Sequence, residues 1–308
     1  MEKIKRIPVP FAGLILGLAA LGNLIQSYSP TVRLVLGGIS AVLFILLTVR
    51  IAANWQSFKT EMENPVVASV FATYSMAIML LAAYLKPYAG GLAAALWYIG
   101  IVLHVGIIIF FTVTFAAKRK LPMVQASWFI PYVGIAVAGI TAPAFKALTI
   151  GQISFYFGLV CYIILLPIVL YRIHKVGNIP APAVPTIAIT CAPGSLLLAA
   201  YMNSFPEKSV TVTYILLVVS QLLYLYALVQ LPKLMAGNFK PSFSSFTFPF
   251  AISGIALKLS YAFLKQSVGA PEWVSYIVKF EELVATVFVL YVLVRYLIFI
   301  FGPHKANA

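Results

Sequence analysis

Residues 244–257 read SSFTFPFAISGIAL, a serine- and phenylalanine-rich approach that passes through Pro249 into a run of small apolar residues. A comparable layout recurs in PFAGLILGLAAL from Pro10, PYVGIAVAG from Pro131 and PGSLLLAAY from Pro193, and a further proline, Pro65, keeps the spacing. The gaps between the five prolines are 55, 66, 62 and 56 residues, about one helical hairpin each. Proline inside a membrane helix removes a backbone hydrogen bond and clashes with the preceding turn. Such a break persists only where protein or a water-filled cavity satisfies the freed groups. Five broken helices in five repeats therefore predict one central pore.

Composition sets the class. Hydrophobic residues make up 62% and charged residues 9%, with a mean hydropathy of +1.02, far from the roughly one-quarter charged content of soluble domains. The chain reads as an integral membrane protein. Apolar stretches of spanning length fall near 10–27, 32–53, 65–85, 91–116, 126–145, 150–171, 184–203, 210–232, 243–265 and 273–301. This predicts an all-α membrane protein of ten helices, a single transmembrane domain over 1–308 built from hairpins at 8–53, 64–117, 122–174, 182–233 and 241–301. The N-terminus has the layout of a signal peptide, but cleavage is not expected, because losing the first span would break the repeat.

The formal charge of +14 follows topology. Fourteen Lys and Arg side chains fall at the termini and even-numbered linkers, including Arg50, Lys59, Lys118, Arg119, Lys120 and Lys305; the odd-numbered linkers hold five, Arg33, Lys86, Lys146, Lys208 and Lys265. By the positive-inside rule both termini are cytoplasmic, in the plasma (inner) membrane. The distribution argues against nucleic acid as a partner. Odd-numbered segments are rich in Gly, Ala and Ser, which allow close helix approach, whereas even-numbered ones such as VLHVGIIIFFTVTF (102–115) are bulky. The expected arrangement is five inner odd helices around the pore, wrapped by five even helices facing lipid.

These segments resemble the tellurite-resistance/dicarboxylate transporter family, which includes TehA-type bacterial channels and the plant slow-type anion channels. PFAGLILGLAAL is similar to that family's first helix, and NPVVASVFATYSMAI, SWFIPYVGIAVAG, APGSLLLAAYM and SSFTFPFAISGIAL to its third, fifth, seventh and ninth. The resemblance implies quasi-fivefold hairpins, a pore through each protomer and a homotrimer. It also implies that a ninth-helix phenylalanine before the proline occludes the pore, a position held here by Phe248. Where several relatives have His-Pro, this chain has Asn64-Pro65.

On physical grounds a rigid apolar ring beside a helix break suits a gate that also dewets its surroundings. Phe246, Phe250 and Phe11 compete with Phe248 on that ground alone. The expected lining carries no fixed charge near the membrane centre. It consists of Gly13, Asn23, Thr73, Ser75, Gly134, Thr141, Thr190, Gly194, Ser195, Thr247 and Ser253 with backbone N–H groups freed at the breaks, which would favour anions weakly. Lys258 is expected to pair with Glu281 or Glu282 across the last hairpin, in place of the functional role usual for an intramembrane charge. His104 reads as a helix–helix hydrogen-bond donor, and Trp55, Trp97, Trp128 and Trp273 as interfacial anchors. Cys161 and Cys191 lack metal or redox spacing. No enzyme constellation, metal site or cofactor motif is present.

Three function classes remain: a gated channel for small inorganic anions such as chloride or nitrate; a proton-coupled carrier of C4-dicarboxylates, sulfite or tellurite-type oxyanions; and a poreless sensor or assembly protein.

Overall fold

The computed structural model describes residues 2–302, which form helices and connecting turns without a strand. Lys305 and the side chain of Lys3, both counted on the basic side, lie outside the described residues. Nine of the described helices are long and apolar enough to cross a membrane, and Phe11–Ile25 is a shorter apolar one. In chain order we label them α1 (Phe11–Ile25), α2 (Pro30–Ala53), α3 (Pro65–Leu85), α4 (Gly90–Thr114), α5 (Ala126–Phe145), α6 (Leu148–Tyr171), α7 (Val184–Ser204), α8 (Val210–Leu234), α9 (Pro241–Val268) and α10 (Val274–Phe301). A short helix, Trp55–Glu61, lies between α2 and α3.

The prolines act in two ways. At α3, Asn64 Oδ1 accepts from the backbone N–H of Val66 (2.9 Å) and Val67 (3.4 Å), and Pro65 takes the first helical position. A missing N–H costs nothing there, so Pro65 opens a helix and does not break one. Pro10 likewise sits immediately ahead of α1. The interruptions lie in α5, α7 and α9. The latter two begin as 3-10 helix, over Val184–Cys191 and Pro241–Phe246, and Pro193 and Pro249 stand at the second residue of the α-helical parts that follow. In α5, Pro131 lies just ahead of the 3-10 turn Gly134–Ala136. Hydroxyl and thiol groups donate to backbone carbonyls at these openings: Thr186 to Ala183, Thr190 to Ile187 and Cys191 to Ala188, while Thr247 shares its one proton between the Ser244 carbonyl and that of Gly13.

Burial alternates along the chain. In α3, α5, α7 and α9, 67–94% of the apolar window is buried, against 22–33% in α2, α4, α6, α8 and α10. In α1 every residue but Asn23 and Ile25 is buried. Each well-buried helix packs on the next, and α9 packs back on α1. A buried hydrogen bond crosses each of those five contacts. Tyr84 donates to the Ala19 carbonyl (α3 to α1, 2.7 Å), Ser69 to Ser127 (α3 to α5, 2.7 Å) and Ser204 to the Gly139 carbonyl (α7 to α5, 2.7 Å). Ser195 and Ser253 share one (α7 with α9, 3.0 Å), and Thr247 donates to the Gly13 carbonyl (α9 to α1, 2.9 Å).

Small residues make these bonds reachable. A Cβ at Gly17 would lie 2.4 Å from Thr247 Cβ, and one at Gly22 2.3 Å from the Tyr84 hydroxyl oxygen. His104 of α4 bridges two of the buried helices. Its Nε2–H donates to the Pro131 carbonyl (3.0 Å), leaving Nδ1 to accept from Ser75 (2.8 Å). Trp97 and Trp128 are buried, which corrects their expected place at an interface. Trp97 donates to Thr141 Oγ1 (2.7 Å) and stacks on Phe145, while Trp128 meets Phe111 edge-on. Trp55 and Trp273 are exposed.

Gly17→Val forces α1 off α9 and is expected to destabilise the protein by about 1–3 kcal/mol, seen as a lower unfolding midpoint in detergent. His104→Leu fills the same space but strands the Pro131 carbonyl, with an expected loss of about 1–3 kcal/mol in the same measurement; His104→Gln, which keeps a donor and an acceptor, should recover part of it.

Candidate functional site

Three spaces follow one another along the five well-buried helices; the first is lined mostly by the segments that lead into them, the second and third from all five. The first, about 510 Å³, is a mouth formed where the chain enters them, by Pro8 and Pro10, Glu61 with Asn64 to Val67, Pro122, Met123 and Gln125, Pro180, Pro182 and Ala183, and Pro241 with Ser242. Along α1, α3, α5 and α9 the lining of the second space begins a few residues further on, at Gly13, Val70, Phe129 and Ser244. This is a narrow cavity of about 40 Å³, room for a few water-sized particles. Ile189, Ala192, Pro193 and Leu196 of α7 complete it with Thr73, Met76, Gly134 and Ser245. The third, about 480 Å³, opens toward the other ends of the helices and is lined by Ala20, Asn23, Arg33, Leu80, Thr141, Asn203, Ile252 and Lys258 among others.

Among the described residues Phe248 alone is common to the second and third spaces. Its ring is 5% exposed, and it starts the α-helical part of α9 directly after the 3-10 turn that ends at Phe246. The competing phenylalanines face elsewhere. Phe246 packs on Phe243 and Phe288, Phe250 on Tyr224 and Phe288, and Phe11 on Tyr296. All three therefore point outward to α8 or α10 or to their own repeat, and none lines the narrow cavity.

The expected lining residues divide. Gly13, Thr73 and Gly134 border the narrow cavity, and Asn23 and Thr141 the third space. Gly194 instead packs against Tyr162 and Ser220, and Ser195, Ser253 and Thr247 are committed to contacts between helices. The Thr73 hydroxyl donates to its own helix, at the Val70 carbonyl (2.7 Å). Thr190 spends its proton in the same way, and Ser75 gives its proton to His104 Nδ1. The narrow cavity is thus bounded mostly by apolar surface, with the hydroxyl protons of these residues turned into the protein.

Charge gathers in the third space. Lys258 Nζ donates to Glu282 (2.6 Å), Ser27 (2.7 Å) and the Leu24 carbonyl (3.0 Å). Glu282 is thus the partner, and Glu281 turns the other way, fully buried, toward Gln221. Tyr28, outside the spans, donates to Glu282 (2.6 Å), and that bond pushes its phenol above the ordinary range. Arg33 Nε donates to Asn23 Oδ1 (2.9 Å), and its guanidinium lies 4.2 Å from the centre of the Tyr84 ring. Among the described residues it has no carboxylate partner. The sequence reading counted Arg33 as a linker charge and missed this placement; its position at the start of α2, ten residues after Asn23, was the available signal.

A model of the voltage-dependent anion channel family matches residues 6–298 of the chain. A comparison with curated proteins finds no match.

Proposed function

The chain belongs to the voltage-dependent anion channel family, and from that premise we propose that it is a gated channel for small monovalent anions, chloride and nitrate, closed by the Phe248 ring. The observation that carries this reading is that Phe248, alone among the described residues, borders both the narrow cavity and the chamber beyond it. One rotation of an aromatic side chain would join the two. A mostly apolar constriction without a charged side chain, whose Thr73 proton is spent on its own helix, offers no tight anion site, and weak binding suits conduction, since an ion held firmly does not leave. Arg33 and Lys258 supply the opposite property at the wide end. They raise the local anion concentration without standing in the constriction.

The alternation of burial and the five cross-helix bonds support the finer architecture: one transmembrane domain of five hairpins, with α1, α3, α5, α7 and α9 around the conduction path and the other five toward lipid. Trimeric assembly and a plasma-membrane location with cytoplasmic termini belong to the same reading. A carrier of dicarboxylates or oxyanions would be expected to bind cargo at a saturable central site, and the narrow cavity offers no charged side chain for one.

Planar-bilayer recording of the purified protein tests the gate. Phe248→Ala is expected to carry chloride and nitrate currents at least about tenfold above wild type, because a dewetted apolar closure is removed. No current in either protein, together with saturable exchange of labelled dicarboxylate in liposomes, would replace the channel with a carrier. In the Phe248→Ala background, Arg33→Gln should lower the current at low ionic strength. That difference should shrink at about 1 M salt, where the Debye length falls to roughly 3 Å.

A further inference from the structure

The mouth of the path holds a charge of the wrong sign for an anion. Of the described residues lining that 510 Å³ chamber, Glu61 is the one charged side chain. It closes the short helix Trp55–Glu61, and Ser57 of the same helix donates to its Oε1 (3.1 Å). Its second partner is Arg50 of α2, whose Nη2 contacts the same oxygen. The Arg50 side chain is only 4% exposed, and its Nε and Nη1 make no hydrogen bond with the described residues. A buried guanidinium with two idle donors is costly. It is also the group best shaped to take a small planar or spherical anion, through several N–H bonds at once.

We propose that Arg50 is an anion-binding site at the mouth, and that the Glu61 carboxylate occupies it as a resident competitor. An anion arriving from the chamber would replace the carboxylate on the guanidinium, and Glu61 would swing into the chamber, where water solvates it. When the anion moves on, the carboxylate returns. The mouth then alternates between two neutralised states, and neither leaves the buried Arg50 without a counter-charge. Because entry requires exchange with Glu61, the pair sets how steeply flux depends on anion concentration. The inference rests on the anion-pathway reading for its role in flux, but the binding site itself stands on the Arg50 geometry.

Two measurements on the full-length protein test it. In detergent at constant ionic strength, unfolding midpoints are compared in nitrate and in gluconate, an anion too bulky for the site. Glu61→Gln should melt several degrees higher in nitrate than in gluconate, wild type should show a smaller difference, and the Arg50→Gln/Glu61→Gln double variant should show none. Glu63→Gln, on a neighbouring residue that does not line the mouth chamber, should behave as wild type. An equal nitrate effect in wild type and Glu61→Gln, or one that persists in the double variant, overturns the site. In the Phe248→Ala background, Glu61→Gln should raise nitrate current at low concentration by about threefold, the scale of one unit charge a few ångströms away in water. Nitrate-dependent melting without current in any variant would keep the Arg50 site and sink the channel. Large Phe248→Ala currents with indifferent Glu61→Gln melting would do the reverse.

Discussion

Buried hydrogen bonds at every contact between neighbouring well-buried helices hold this structure closed. Each needs two helices to approach more closely than bulky side chains permit, which is why glycine, alanine and serine crowd α1, α3, α5, α7 and α9. In hydrocarbon, where apolar surface alone gives helices little reason to prefer one another over lipid, such bonds and close packing supply the preference. They also decide what the path is made of. A hydroxyl that ties one helix to its neighbour, or to its own 3-10 carbonyl, has no proton left for an ion, so polar residues in the sequence yield an apolar constriction in space.

The two ends of the path solve different electrostatic problems. At the wide end, Arg33 meets only an aromatic ring and a neutral amide and keeps its charge, while Lys258 is held by a carboxylate on α10. That end keeps net positive character. At the mouth, the buried cation is matched by a carboxylate that faces the chamber, so the field there depends on which partner Arg50 holds.

The repeat and the small-versus-bulky alternation were legible in the sequence because both are one-dimensional: a proline every sixty or so residues, and two compositions in turn. Side-chain direction was not. A 3-10 stretch advances each residue farther around the axis than an α-helix does, so the α-helical phase fails across the junction where Phe246, Phe248 and Phe250 lie. They face different surroundings, and physical reasoning alone left them as rivals. Glu281 and Glu282 diverge for a simpler reason, being neighbours on one helix and about 100° apart. The prolines were overread as well: Pro65 opens a helix where a break was expected, and Pro167 sits inside α6, one of the poorly buried helices. Arg33 and Glu61 were hidden by their place in the chain, since residues near span ends read as topology signals until the fold turns them toward a chamber.

The bond from Thr247 to the Gly13 carbonyl joins residues 234 positions apart, and Lys258 reaches Leu24 across the same interval. The first helix is also the shortest of the apolar series, 15 residues. During synthesis it must therefore wait, with its glycine face uncovered, until nearly the whole chain has been made and α9 arrives to cover it. A ribosome stalled before the last hairpin would leave an open horseshoe of helices whose unsealed edge faces lipid. The surveillance that clears unfinished membrane proteins would find its mark on that edge.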